Sequence, residues 1–117
     1  MQLTERQVGD ILILTITGDI TLNKGGDIAI KDKVHSLTQQ GHRKLLVDLG
    51  AVSYVDSAGL GELVQAFVTT TKAGGSLKLL RLTGRLKDLL TITKLATVFD
   101  SFDDEASALA SFSAAAV

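Results

Sequence analysis

Apolar and polar residues change their period several times along the chain, and each change marks an element. Residues 2–8 are mostly polar, and Gly9-Asp10 separates them from the strongly apolar stretch 11–17. A two-residue Gly-Asp connection supplies the positive φ of a tight antiparallel turn, so the pattern predicts a β-hairpin whose polar first strand lies at a sheet edge. In the second strand Leu12, Leu14 and Ile16 face a core, while Thr15 and Thr17 mark where the opposite face begins to meet water. The period then lengthens. Ile30, Val34 and Leu37 recur at helical spacing until Gly41, predicting a helix over roughly 26–40 that a left-handed glycine can end.

Residues 44–49 contain the run Leu45, Leu46, Val47, which suits a central parallel strand covered by helices on at least one face. The clearest helix follows over 58–72, where Leu60, Leu63, Val64, Phe67 and Val68 occupy i, i+3, i+4, i+7 and i+8 before Gly74-Gly75. Residues 76–82 read as the next strand, Leu86, Leu89 and Leu90 as a short third helix, and Val98-Phe99 as a short final strand. Asp103 is expected to cap a last helix carrying Ala106, Leu109 and Ala110. The predicted fold class is α/β, in the order β-β-α-β-α-β-α-β-α, with a mixed sheet of mostly parallel central strands and helices packed on it. Right-handed crossovers make strands two, three and four parallel neighbours, which gathers loops 18–25, 50–56 and 83–85 at one edge. In open α/β sheets that edge is where ligands and partners bind.

Composition narrows the function classes. At 117 residues, 45% hydrophobic and 21% charged, the chain fits one folded domain, expected over 1–112 with a frayed tail at 113–117. Twelve Lys and Arg against 13 Asp and Glu leave no basic surplus for a nucleic acid or an anionic membrane. The absence of cysteine removes disulfides, thiolate metal sites and cysteine nucleophiles. The start MQLTERQVGD has no basic region followed by an apolar run, and the most apolar window, 11–16, is too short to span a membrane. The expectation is a cytoplasmic protein without metal or cofactor.

The chemistry concentrates at Asp56-Ser57, between a buried strand and the strongest helix. Ser57 is expected as N-cap or first-turn residue, beside backbone N–H groups that lack intrahelical acceptors at the positive end of the helix dipole. Such a place accommodates a phosphate. Gly59 and Gly61 would keep the first turn slim, so that a partner's backbone could approach Ser57. A hydrolase reading fails on the residues: Val55 stands where the nucleophile elbow has glycine, and His35 and His42 lie near the end of the first helix, at the opposite edge. Gly25-Gly26 and Gly59-x-Gly61 lack a Walker lysine and a complete dinucleotide fingerprint.

The string Asp56-Ser57-Ala58-Gly59-Leu60-Gly61 after Val47-Asp48-Leu49 closely resembles the signature of the STAS domain family, the sulphate transporter and anti-sigma factor antagonist family. The likeness covers nearly the whole chain, including the hairpin, the Gly18-Asp19-Ile20 loop and the Gly74-Gly75 turn, and in length it is similar to the stand-alone bacterial antagonists. The resemblance implies a STAS-like fold and a binding protein, not an enzyme. It implies that the unmodified chain occupies an anti-sigma factor that is also a serine kinase, freeing a sigma factor, and that phosphorylation of Ser57 ends the complex until a serine phosphatase resets it. The implied partner-binding surface comprises Asp19, Thr21, Asn23, Asp56, Ser57, Ala58, Gly59, Leu60 and Gly61, with Val64 nearby and Lys24, Thr83, Arg85 and Lys87 as candidate rim residues. Thr21 departs from the family pattern, in which many antagonists carry an acid there; it marks either a changed contact or a second phosphorylatable hydroxyl. The alternative role within the family is a non-phosphorylated scaffolding subunit of a larger signalling or lipid-transport complex.

Overall fold

A computed structural model describes residues 2–21 and 26–114. The elements are β1 (Gln2–Val8), β2 (Ile11–Ile20), α1 (Gly26–Gln39), β3 (Lys44–Val55), α2 (Ser57–Lys72), β4 (Ser76–Leu80), α3 (Gly84–Ile92), β5 (Ser101–Phe102) and α4 (Glu105–Ala114). The sheet order is β1-β2-β3-β4-β5, with β1 antiparallel to β2 and the remaining neighbours parallel. The expected order and class are therefore those observed.

The hairpin closes at Gly9, with Val8 opposite Ile11 and Gln2 opposite Thr17. Alternation along the strands then divides the apolar residues between two faces. Leu12, Leu14, Ile16, Leu45, Val47, Leu49, Leu77 and Leu79 share a buried cluster with Ile30, Val34 and Leu37 of α1, Leu60, Leu63 and Ala66 of α2, and Leu86 and Leu90 of α3. On the other face Ile11, Ile13, Leu46 and Leu80 pack with Ala108 and Phe112 of α4. Each fully buried side chain of this kind contributes about 1.5–3 kcal/mol. The unbroken run Ile11–Leu14 is thus explained by cover on both faces, where the sequence had indicated one.

Two polar side chains are buried on the α4 face, and both are paired, as burial demands. Asp48 accepts from Arg81 Nη1 at 2.9 Å and from the backbone N–H of Gly50 at 3.0 Å. Lys78 donates to Ser111 Oγ at 3.0 Å and lies 4.8 Å from the centre of the Phe112 ring. The turn into β4 depends on Gly75: a Cβ there would overlap the carbonyl oxygen of Arg43 and sit 3.0 Å from its Cα, closing the space in which Ser76 N–H donates to that oxygen.

The C-terminal third corrects three expectations. The last strand is Ser101–Phe102, not Val98-Phe99; Phe99 instead turns inward, edge-on to Phe67 with ring centres 5.3 Å apart, and Val98 is exposed. The last helix is capped by Asp104, whose carboxylate accepts from Ser107 N–H at 2.9 Å, whereas Asp103 lies 3.5 Å from Lys87. Its inward side is Ala108, Leu109 and Phe112; Ala106 and Ala110 face solvent. Helix α4 reaches Ala114, and residues 115–117 of the expected tail lie outside the described residues.

Candidate functional site

The C-terminal ends of β2 and β3 and the starts of α2 and α3 meet at one sheet edge. Here β3 runs beyond β4, pairing with β2 as far as Ile20 opposite Val55. The chain is held at the turn into α2: Asp56 N–H donates to the carbonyl of Ile20 at 3.3 Å. With φ −92° and ψ 179°, Asp56 is extended, and its carboxylate accepts from Gly59 N–H at 2.7 Å. That is an N-cap. Leu60 N–H then donates to the Asp56 carbonyl at 2.9 Å, and the helix proceeds. Ser57 is consequently the first helical residue, the first-turn alternative of the two expected from the sequence. It is exposed, and the first turn of α2 carries no acidic side chain.

Gly59 has a different role from the one its sequence position suggested. A Cβ on it would overlap the carbonyl oxygen of Ile20 and lie 2.8 Å from the carbonyl carbon, so the missing side chain lets α2 close against the end of β2. The close approach is made within the chain, not by a partner. A Cβ on Gly61 would meet nothing within 4 Å, and the residue is exposed, as is Ala58. These two leave open backbone beside Ser57.

The remaining candidates separate clearly. Leu60 is buried and Val64 is packed against the same core, so both anchor α2. Thr21 is also buried, at 9% exposure, which leaves little of its hydroxyl for a modifying enzyme. Asp19 is half-buried and stands opposite Tyr54 in the β2–β3 register. Asn23 and Lys24 lie outside the described residues. Thr83 caps α3, accepting from Leu86 N–H at 3.3 Å, and Lys87 is turned toward Asp103. Arg85 lies over Tyr54, its guanidinium carbon 5.7 Å from the ring centre.

Tyr54 is the residue that sequence reasoning passed over. It is 42% exposed near the end of β3, and the available signal was the consecutive pair Ser53-Tyr54, both exposed, which breaks the alternation. Both histidines sit at the opposite end of the sheet, His35 on α1 and His42 just before β3, whereas Ser57 follows β3. No histidine general base therefore serves the Ser57 hydroxyl. Among the described residues, no group of three or more His, Cys, Asp or Glu side chains is placed to hold a metal ion, and no helix is long and apolar enough to cross a membrane. What the edge offers is an exposed hydroxyl at the start of a helix, amid open backbone and a partly exposed aromatic ring.

Comparison with known proteins gives a consistent result. The family model described as STAS domain matches residues 2–108. The anti-sigma-B factor antagonist of Bacillus subtilis is 41% identical over 88 residues, covering 70% of this chain and 80% of that protein. Among solved structures, an anti-sigma factor antagonist from Mycobacterium paratuberculosis superposes with a TM-score of 0.81 at 17% identity, covering 94% of this chain and 92% of that one. The Bacillus cell fate determinant SpoIIAA in its phosphorylated form gives 0.70 at 15% identity, covering 91% and 96%. At those identities the two structures speak for the fold alone.

Proposed function

The chain belongs to the STAS domain family, and we propose that it is a cytoplasmic anti-sigma factor antagonist whose partner binding is switched by phosphorylation of Ser57. The observation that carries the reading is the placement of Ser57: exposed, first in α2, behind the Asp56 cap, in a first turn with no acidic residue. The name of the Bacillus subtilis relative, an antagonist of an anti-sigma factor, supplies the class of partner.

The physical chemistry of a switch follows from that placement. A phosphate adds about −1.5 to −2 charges and strong acceptor oxygens. At the start of α2 the dipole and the unsatisfied N–H groups favour that charge, so the fold tolerates it. A protein surface docked against the neutral hydroxyl does not, and each 1.4 kcal/mol of mismatch weakens the complex about tenfold. Ser57, Ala58 and Gly61 form the exposed part of the docking surface, with the half-buried Asp19 at the end of β2. Asp56, Gly59, Leu60 and Thr21 act by fixing its shape. The partner is an anti-sigma factor with serine kinase activity, and a serine phosphatase reverses the modification. The antagonist itself supplies a substrate hydroxyl and performs no catalysis.

Phosphoryl transfer from labelled ATP in lysate of the native host, compared between wild type and Ser57→Ala, tests this. Label on the wild type alone is the expected result. Label on neither, in lysate shown to phosphorylate a known substrate, would overturn the switch and favour a scaffolding subunit of a larger complex.

A further inference from the structure

The Ser57 edge carries a second feature that the switch leaves unused. Arg6 and Arg81 bond the carboxylates of Glu105 and Asp48, and Arg43 donates to the carbonyls of Thr38 and His42. Among the described residues Arg85 has no carboxylate or carbonyl partner; its guanidinium lies against the ring of Tyr54. Its five N–H donors remain available to solvent. Tyr54 in turn is one of the large apolar side chains left exposed, with Val68, Ile92 and Val98, and it is the one that lies three residues before Ser57. Three peptide units span at most about 11 Å between Cα atoms, so the pair and the phosphoacceptor belong to one footprint.

We propose that Tyr54 and Arg85 together form a docking anchor for an acidic patch on the protein partner, a carboxylate pairing with the guanidinium while apolar partner atoms cover the ring. The inference rests on the reading of this edge as the antagonist's docking surface and identifies the chemistry it selects. Stacking on the ring orders the guanidinium before binding, which reduces the side-chain freedom lost on association. The planar fork matches a carboxylate with two parallel hydrogen bonds. Tyrosine and arginine at the centre of a footprint are the residue types that carry most of the energy in protein interfaces. The anchor also connects to the switch: a phosphate on Ser57 places negative charge within the same footprint, where it repels the partner's carboxylate and draws on the same guanidinium.

The test is titration of the purified anti-sigma factor that binds the wild-type chain against Arg85→Ala, Arg85→Lys, Arg85→Glu and Tyr54→Ala, with Lys31→Ala on α1 as a control. Arg85→Ala and Tyr54→Ala should each weaken binding about tenfold, Arg85→Lys less, and Arg85→Glu about a hundredfold, with Lys31→Ala unchanged. Lysine in place of one partner carboxylate should restore binding to Arg85→Glu. Both side chains are on the surface, so thermal midpoints should match wild type, and Tyr54, the single tyrosine of a chain without tryptophan, should report loss of Arg85 in its emission. Wild-type affinity for Arg85→Glu and Tyr54→Ala, with binding still abolished by phosphorylation of Ser57, would overturn the anchor and leave the antagonist standing. If no anti-sigma factor binds the wild type, the antagonist reading falls and the anchor with it.

Discussion

Helices α2 and α4 begin with the same device and end up suited to different tasks. In each an aspartate accepts from the N–H three residues on, Asp56 from Gly59 at 2.7 Å and Asp104 from Ser107 at 2.9 Å. In α4 the next residue is Glu105, so a second acid joins the cap at the positive end of the helix, and it is bound to Arg6. In α2 the next residue is the uncharged Ser57, and the third position is a glycine wedged against the Ile20 carbonyl. What separates the two is the first turn: in α2 it is free of acid, carries an exposed hydroxyl and is locked from behind, the conditions that the proposed phosphorylation of Ser57 requires.

The lock is the part that substitution should break most severely. Gly59→Ala drives a methyl group into backbone at Ile20 and should cost about 3 kcal/mol, lowering the thermal midpoint by roughly 10 °C or more, whereas Ser107→Ala at the matching position of α4 should change stability by less than about 0.5 kcal/mol. Loss of the caps comes next: Asp56→Ala should cost about 1 kcal/mol in denaturant unfolding, and Asp104→Ala, at the exposed start of α4, should cost less. Hydrogen exchange should separate them, because Asp56→Ala loosens a helix of the main core and Asp104→Ala loosens α4 alone. Gly61→Ala, with open space around the new methyl, should stabilise the chain by up to about 1 kcal/mol, since alanine is the better helix former.

The smallest effect is electrostatic and belongs to α4. Bonds from the Ser107 N–H and hydroxyl hold Asp104 below the usual carboxylate range, and the bonded guanidinium of Arg6 does the same for Glu105. A carboxylate whose pKa is lowered on folding contributes stability above its unfolded value, near 4, and loses it as the pH falls through the folded value. Acid titration should therefore weaken α4 below about pH 4. Glu105→Gln should shrink that dependence, as followed by exchange of the α4 amides.

These contrasts also show what the sequence could and could not disclose. The hairpin, the element order and α2 were legible because period and turn chemistry are local, and Gly9 and Leu63 state their roles within a few neighbours; Leu60 reads both as core and as docking surface, and its burial decides for the core. The short β5 was not legible, because two residues carry no period; their pairing with Leu79 and Leu80 is settled by the neighbouring strand. The cap fell on Asp104 in place of Asp103 because Asp103, Asp104 and Ser101 are all competent cap residues and only the geometry chooses. Gly59 was read as an opening to a partner because the obstacle, the Ile20 carbonyl, is 39 positions away in the chain. Tyr54 was missed for a similar reason: it lies on β3, and its companion Arg85 comes from α3.

The most direct test of the switch compares one affinity in two states, with phosphoserine installed at position 57 during synthesis so that no kinase is needed. Calorimetric titration against the cognate anti-sigma factor should show tight binding of the unmodified chain and binding at least about a hundredfold weaker for the phosphorylated one, a difference near 2.8 kcal/mol, with both chains equally folded. Equal affinity in the two states would contradict the account, since Ser57 would then be a cap-adjacent surface residue and not the switch.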